Sequence, residues 1–370
     1  MNGYTGQLLC VDLSAARVRC EPLPADLVRQ YVGGAGLGIR LAYDRIAPDA
    51  DPLGPEAPLL FMTGPVTATA LGTAGRYELV FKSPLTGILC DSSSGGFWGA
   101  ELKKAGHDGL IVAGAAAEPV YLYIHDAVAE IRPAGHLWGL DAFAVQETLR
   151  AEVGDDGAIN DAGRAPGRGG NGAVMGAKKL KAIVVRGTGS VPLADDAAFR
   201  KAALRVNRHN ATTPFLANLR QYGTAESLDS CWALGDVPTK NWALGSQEEL
   251  STRLGGKRMY GTIYRPHLGC YRCPMGCSRW AKVEQGPYAM DAPGPEYETL
   301  AALGTMCMVD DLEAVAYAGH LCNLYGMDTI SCGATIAFAM EAFERGLITA
   351  GDAGGLALAW GSAEALVGLV

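Results

Sequence analysis

The sequence predicts an α+β protein, and three observations carry that expectation. Short apolar runs bounded by Gly and Pro fill the first two hundred residues, the pattern of strands between turns. From about Asp195 the texture changes to longer stretches that read as helices. Glycine makes up 49 of 370 residues, about twice the usual share. It has no collagen-like period, so many turns and close backbone approaches to a ligand are expected.

In chain order, strands are expected at residues 8–13, 59–62, 79–82, 110–112, 120–124 and 182–186, each of strand length and bounded by breakers. Helix-like pieces lie between them at 26–31 and 97–105, the second with Phe97, Leu102 and Ala105 on one face. These assign residues 1–195 to an α+β domain. Residues 196–370 are expected to be mostly helical, with helices at 196–207, 297–306, 311–325 and 335–345 and a left-handed stop at Gly346. Residues 363–370 read as the opening turns of another amphipathic helix with no cap and no tail after it, so the chain is expected to have been cut short.

Composition removes several functions. With 31 basic against 39 acidic residues and a net charge of -8, the basic patch of a nucleic-acid binder is missing. No run of about 18 apolar residues suggests a membrane span, and no hydrophobic signal segment opens the chain. A cytoplasmic protein is expected. Ten cysteines in 370 residues are too sparse for a disulfide framework.

Three of those cysteines, Cys270, Cys273 and Cys277, fall within eight residues as CxxCxxxC. One turning loop can then present three soft sulfurs to one centre, as iron–sulfur clusters require. Pro274 stiffens the loop and Gly276 lets its backbone crowd a ligand. A structural zinc site competes, but it wants a second Cys or His pair, and Cys307, His320, Cys322 and Cys332 do not form one at that spacing. Radical-forming SAM enzymes use the reverse spacing, CxxxCxxC. Cys322 and Cys332 read as small buried hydrophobes.

Glycine clusters at Gly33, Gly34, Gly36 and Gly38, at Gly95 and Gly96, and at Gly167, Gly169, Gly170, Gly172 and Gly176 suggest a large polar cofactor. Amides freed by such turns suit phosphate, and Arg76, Arg164 and Arg168 beside glycines can meet anionic groups bidentately. The bland alternative is a set of tight turns with surface arginines. Glu296 and Glu298 read either as ordinary acids of a helix's first turn or as an acid–base carboxylate.

The opening Gly3-Tyr4-Thr5-Gly6 with Val11-Asp12-Leu13, the Gly33 to Gly38 turn, the glycine-rich stretch from Arg164 to Lys178, the three cysteines, Gly294-Pro295-Glu296-Tyr297-Glu298 and the stretch from Tyr325 to Ser331 occur together and in order. In this the chain resembles the aldehyde ferredoxin oxidoreductase family along essentially its whole length. The resemblance implies a β-rich N-terminal base on which a tungsten (or molybdenum) bis-pterin lies, helical domains closing over it, and one 4Fe-4S cluster held by Cys270, Cys273 and Cys277. It further implies pterin contacts by Arg76, Gly95, Arg164, Ala165 and Gly167. Asn323, Met327 and Asp328 fall on the family's D-x-x-G-L-D motif, with Asn in place of the first Asp and Met in place of Leu. Asn keeps an acceptor and adds donors. Glu298 is the carboxylate that the resemblance favours as acid or base, and His320 reads as a packing residue.

The implied reaction is oxidation of an aldehyde to a carboxylic acid, with electrons leaving through the cluster to ferredoxin. A homodimer is compatible with this. Lys178, Lys179 and Lys181 are the expected basic patch for an acidic partner. Relatives that reduce acyl thioesters or carboxylic acids offer a second reaction. Two departures qualify the match: a shorter connection between Val153 and Asp161, and a fourth cluster cysteine, second pterin motif and active-site histidine that belong to a third domain beyond Val370. An inactive fragment is therefore the competing expectation.

Overall fold

The computed structural model describes residues 1–154, 163–266 and 269–370. The connection between Val153 and Asp161 thus lies mostly outside the described residues. The architecture is α+β, in two compact units: Met1–Asn210 with Cys270–Pro274, and Ala211–Gly269 with Met275–Val370.

The first unit is layered. Strands β1 (Gln7–Asp12), β2 (Arg17–Pro22), β3 (Leu59–Met62), β4 (Tyr77–Lys82), β5 (Leu89–Ser94) and β6 (Gly109–Ala113) form a sheet in the order β2-β1-β6-β3-β4-β5. All its pairs are antiparallel except β1 with β6. A second sheet, β8-β7-β9, is built from β7 (Val120–His125), β8 (Val128–Pro133) and β9 (Leu180–Arg186).

Strands covered on both faces read as unbroken apolar runs, and the side-chain alternation along β1 shows why. Leu9 and Val11 join Phe61, Leu79, Leu122, Ile124 and Val185 in one core. Leu8 and Cys10 turn the other way to join Leu60, Val80 and the helices α1 (Ala25–Tyr31) and α2 (Gly34–Arg45). Helix α3 (Trp98–Lys104) adds Trp98 and Leu102 to the first core. Helix α4 (Ala142–Val153) covers the far side of the small sheet through Val145 and Leu149, and Asp141 caps it. Helices α5 (Asn171–Ala177) and α6 (Asp196–Thr212) follow.

The glycine run at 33–38 corrects an expectation. It is the first turn of α2 rather than a free turn, because Leu37, Leu41 and Ala42 recur at helical spacing and bury on the sheet. Its glycines serve helix packing: a Cβ on Gly38 would lie 2.7 Å from Val80 Cγ2, and one on Gly36 2.6 Å from the Tyr31 carbonyl oxygen. Strand β2 escapes sequence reading because as an edge strand it is charged and exposed.

The motif Gly3-Tyr4-Thr5-Gly6 is explained by a buried ion pair. Asp108, 1 % exposed, pairs with Lys103, 0 % exposed. Its carboxylate also accepts from the Thr5 and Gly6 amides at 3.2 and 2.7 Å. The Lys103 ammonium further donates to the Gly64 carbonyl at 3.1 Å and lies 5.0 Å from the centre of the Tyr4 ring. Neighbouring His107 is buried, and burial pushes its imidazole below the ordinary value of 6.5, against the opposing pull of the Asp126 backbone and Asp108. The unfolded chain therefore takes up a proton as pH falls through about 6.5 while the folded chain resists, so stability is lost on that side. The wild-type Tm should fall more than that of His107→Gln between pH about 7 and about 5. Parallel profiles would remove His107 from the account.

The second unit contains α7 (Pro214–Tyr222), α8 (Glu226–Cys231), α9 (Glu248–Leu254), α10 (Gly256–Thr262), α11 (Tyr297–Thr299), α12 (Leu312–Tyr325), α13 (Thr329–Glu344) and α14 (Ala363–Leu369). An antiparallel sheet of β10 (Tyr264–Arg265), β11 (Trp280–Val283) and β12 (Met290–Pro293) completes it. Its core draws on Leu254, Leu300, Leu303, Val315, Cys322, Ile336, Met340 and Leu366. The helix expected at 297–306 is not regular: α11 widens into a π turn over Leu300–Gly304 and ends in a 3-10 turn at Thr305–Cys307. Close packing accompanies the widening, since a Cβ on Gly333 of α13 would meet the Ala302 backbone at 2.4 Å. Gly346 follows α13 with φ 68, the left-handed stop read from the sequence. Among the described residues no helix is long and apolar enough to cross a membrane.

Candidate cofactor and cluster site

The hairpin of β4 and β5, with β5 at the edge of the large sheet, carries the first group of candidates. Glu78 and Ser93 face each other in register. Arg76, just ahead of β4 and exposed, donates to Ser93 Oγ at 2.7 Å. Burial raises the Glu78 carboxyl above its ordinary range, against the pull of Ser93 and the Arg76 charge. One Glu78 oxygen and the Ser94 hydroxyl are buried with no hydrogen-bond partner among the described residues. Polar atoms removed from water without a partner mark a place where a further polar group belongs.

The glycine-rich stretch lies along β5. The Arg168 amide donates to Ser92 Oγ at 3.3 Å and Ser83 Oγ donates to the Gly169 carbonyl at 2.7 Å. Asn171 Nδ2 ties the stretch to itself through the Pro166 and Arg168 carbonyls at 2.6 and 3.1 Å. Gly169 and Gly170 take φ of 84 and 83, which a residue with a side chain adopts only under strain. Arg164 is half-buried, and Ala165 and Gly167 are exposed.

The cysteine loop meets this group at glycines. Cys273 closes a turn by donating its amide to the Cys270 carbonyl at 2.9 Å, and the Tyr271 amide donates to the Gly96 carbonyl at 3.0 Å. A Cβ on Gly95 would stand 2.7 Å from Cys270 Sγ and 3.8 Å from Arg164 Cδ. A Cβ on Gly75 would stand 3.0 Å from Tyr271 Cβ, and one on Gly72 2.6 Å from the Arg272 carbonyl oxygen and 3.0 Å from Pro274 Cδ. The glycines at 72, 75 and 95 therefore admit the backbone carrying the first two cysteines. Sequence reading missed Gly72 and Gly75, which sit three residues apart in a stretch of mostly small residues ahead of Arg76.

Cys277 belongs to the second unit, where Arg279 organises its strand. The Arg279 guanidinium, 3 % exposed as a residue, donates to the Gly276, Ser278, Leu219 and Arg220 carbonyls at 3.1, 2.9, 2.9 and 2.6 Å. Nothing in the sequence alone distinguished it from a surface arginine. All three cysteines are half-buried. Among the described residues no three His, Cys, Asp or Glu side chains are grouped as a metal cage.

The remaining candidates also lie in the second unit. Glu298 is exposed in α11, while Glu296 precedes the helix and accepts from Thr224 Oγ1. Asn323 is half-buried near the end of α12 and Met327 is exposed. Asp328 caps α13, accepting from the Ile330 amide at 3.1 Å and from Ser331 Oγ at 2.6 Å. The structure thus brings Gly95, Arg164 and Cys270 together and sets Arg76 on the same hairpin. Glu298 and the Asn323 to Asp328 turn are separate elements of the other unit.

The expected lysine patch is corrected. Lys178 is wholly buried, donating to the Gly54, Pro55 and Gly114 carbonyls at 3.3, 3.4 and 3.1 Å. Burial pushes its ammonium down to about 8, against the pull of Glu56. Lys179 and Lys181 spend their ammonium groups on the Ala117 and Leu140 carbonyls.

Two family models match the chain: "Aldehyde ferredoxin oxidoreductase, N-terminal domain" over residues 8–187 and "Aldehyde ferredoxin oxidoreductase, domains 2 & 3" over residues 198–370. The tungsten-containing aldehyde ferredoxin oxidoreductases of Pyrococcus furiosus and Thermococcus kodakarensis are each 38% identical over 99% of this chain and 63% of their own. An aliphatic sulfonate oxidoreductase WOR-like subunit of Pyrococcus furiosus is 31% identical over 100% of this chain and 64% of its own. The chain thus spans under two thirds of the length of the curated relatives it matches. Among solved structures, the active-site complex BamBC of benzoyl coenzyme A reductase superposes with a TM-score of 0.85 at 27% identity, over 100% of this chain and 59% of that one.

Proposed function

Because this chain belongs to the aldehyde ferredoxin oxidoreductase family, we propose that it forms the larger part of an enzyme oxidising aldehydes to carboxylic acids at a tungsten (or molybdenum) bis-pterin, with electrons passing through a 4Fe-4S cluster to ferredoxin. The observation that carries the reading is the meeting of Cys270 Sγ, Gly95 and Arg164 in one unit. The residues present fit both groups. Three thiols in CxxCxxxC are a donor set for iron–sulfur, and the orphaned Glu78 oxygen and Ser94 hydroxyl leave polar capacity for an anionic, hydrogen-bonding cofactor.

In this reading residues 1–195 form the cofactor base, and 196–370 the helical part with the cluster loop and the Asn323 to Asp328 turn. Arg76 and Arg164 hold the phosphates, with Gly95, Ala165 and Gly167 offering backbone at close range. Asn323 and Asp328 would offer donors and acceptors to a pterin ring edge. Cys270, Cys273 and Cys277 hold the cluster. The bound group would supply the acceptor for the two electrons that an aldehyde gives up when a water oxygen is added to its carbonyl carbon. Glu298, exposed to solvent, would take a proton from that water and pass it to solvent, two protons leaving in all as the acid forms. A cytoplasmic location and a homodimer belong to the same proposal, whereas the ferredoxin surface needs residues other than Lys178.

A second reaction, reduction of an acyl thioester, draws support from the fold shared with benzoyl coenzyme A reductase. The sulfonate oxidoreductase relative likewise leaves the substrate class wide.

The test is elemental analysis of anaerobically purified protein. Tungsten or molybdenum should be found with about four irons per chain, and Cys273→Ser should remove the iron together with its broad visible absorption. Protein free of all three metals, or a Cys273→Ser variant with unchanged iron, would overturn the reading.

A further inference from the structure

The buried guanidinium of Arg279 grips the chain on both sides of one cysteine of the CxxCxxxC loop. Nη1 donates to the Gly276 and Ser278 carbonyls at 3.1 and 2.9 Å, and these two residues flank Cys277. Nη2 donates to the Leu219 and Arg220 carbonyls at 2.9 and 2.6 Å, in the last turn of α7. Carbonyls in a helix's last turn are short of intrahelical donors and carry the negative end of the macrodipole, so a cation suits them twice over. Gly223, which follows α7 with φ 70, permits the approach: a Cβ there would stand 2.6 Å from Arg279 Nε and 2.7 Å from the Cys277 carbonyl oxygen. All these residues belong to the second unit. An arginine that merely anchored β11 to α7 needs only the Nη2 bonds, whereas Nη1 is spent on the cysteine loop itself.

We propose that Arg279 is the positioning residue of Cys277: it fastens the backbone that carries this ligand to α7 and sets a permanent positive charge beside the cluster, raising the cluster's reduction potential. This rests on the reading of Cys270, Cys273 and Cys277 as cluster ligands. Arginine keeps its charge in proteins, and bond lengths hold Nη1 within about 6 Å of the Cys277 Cα. A cluster gains negative charge when it is reduced, so a cation at that range favours the reduced form, and charge is one of the quantities that set the potential of such centres. Lysine would keep the charge, but its donors sit on a single nitrogen. It cannot span carbonyls of two segments as a planar fork does.

The experiment uses the full chain, purified anaerobically, as wild type, Arg279→Lys and Arg279→Gln. Three quantities are read: bound iron, the midpoint of a redox titration followed by electron paramagnetic resonance, and amide exchange over 219–223 and 276–279 in protein stripped of iron. In Arg279→Gln the midpoint should move to lower potential, and exchange over both segments should quicken at least several-fold. In Arg279→Lys the midpoint should stay at the wild-type value while exchange quickens less. An unmoved midpoint in Arg279→Gln would overturn the role of the charge, and unchanged exchange would overturn the clamp. Should Arg279→Gln hold no iron or fail to fold, Arg279→Lys decides: iron kept at the wild-type midpoint supports the assignment, and iron lost or a lowered midpoint sinks it. Wild type without iron would remove the cluster reading itself, whereas wild type with iron beside an unaltered Arg279→Gln removes only the role given to Arg279.

Discussion

Replacing Asp108 with alanine should destabilise the protein by about 3–5 kcal/mol, the cost of breaking a buried ion pair from one side. Lys103 would be left charged at 0 % exposure, with the Gly64 carbonyl as a remaining hydrogen-bond partner. Burial already lowers its pKa against the pull of Asp108. The Thr5 and Gly6 amides would lose their acceptor as well, releasing the N-terminal segment from the sheet. Asp108→Asn should fall between, since it keeps an acceptor and loses the charge. The double variant Lys103→Met, Asp108→Leu should recover much of the loss, because buried pairs often break even against apolar isosteres. The check is the midpoint of denaturant unfolding. A loss under about 1 kcal/mol for Asp108→Ala, the level of an exposed pair, would show that the pair is not shielded as the geometry implies.

The second large effect belongs to Gly95. With Cys270 Sγ only 2.7 Å from where a Cβ would stand, Gly95→Val must displace the thiol or the hairpin carrying Arg76. Overpacking of this kind costs about 1–3 kcal/mol, but the diagnostic readout is iron. The purified variant should lose bound iron and visible absorption while keeping its far-UV circular dichroism. Gly261 is the control: it lies inside α10 with nothing within 4 Å of its Cβ position, so Gly261→Ala should keep iron and gain about 0.5–1 kcal/mol. Full iron in Gly95→Val would separate the hairpin from the cluster and remove the observation on which the proposed function rests.

Much of the site was legible in one dimension because its chemistry is concentrated in local motifs. CxxCxxxC is a local pattern that suggests soft-metal ligands, and the turn that joins Cys273 to Cys270 is local. The Arg164 to Lys178 stretch carries consecutive glycines whose positive φ excludes most other residues. Strands such as β3, with all four residues buried, could be read from hydrophobicity alone because both faces are covered.

Where the same residue type serves two physical ends, only the tertiary structure decided between them. Gly33 to Gly38 and Gly95 look alike in sequence, yet Gly36 and Gly38 admit a helix onto its neighbours while Gly95 admits Cys270. Lys178 and Lys179 are adjacent, yet one is entirely buried under three carbonyls and the other bonds a single carbonyl. Asp108 and Arg279 gave no sign of their burial, because the Gly6 amide and the Leu219 carbonyl that help to bury them lie tens of residues away in the chain. Sequence by itself determined the α+β class and the family and pointed to the three cysteines, because these depend on local pattern and covalent spacing. Burial and long-range hydrogen bonding determined which glycines, lysines and carboxylates act, because desolvation depends on what packs around a group.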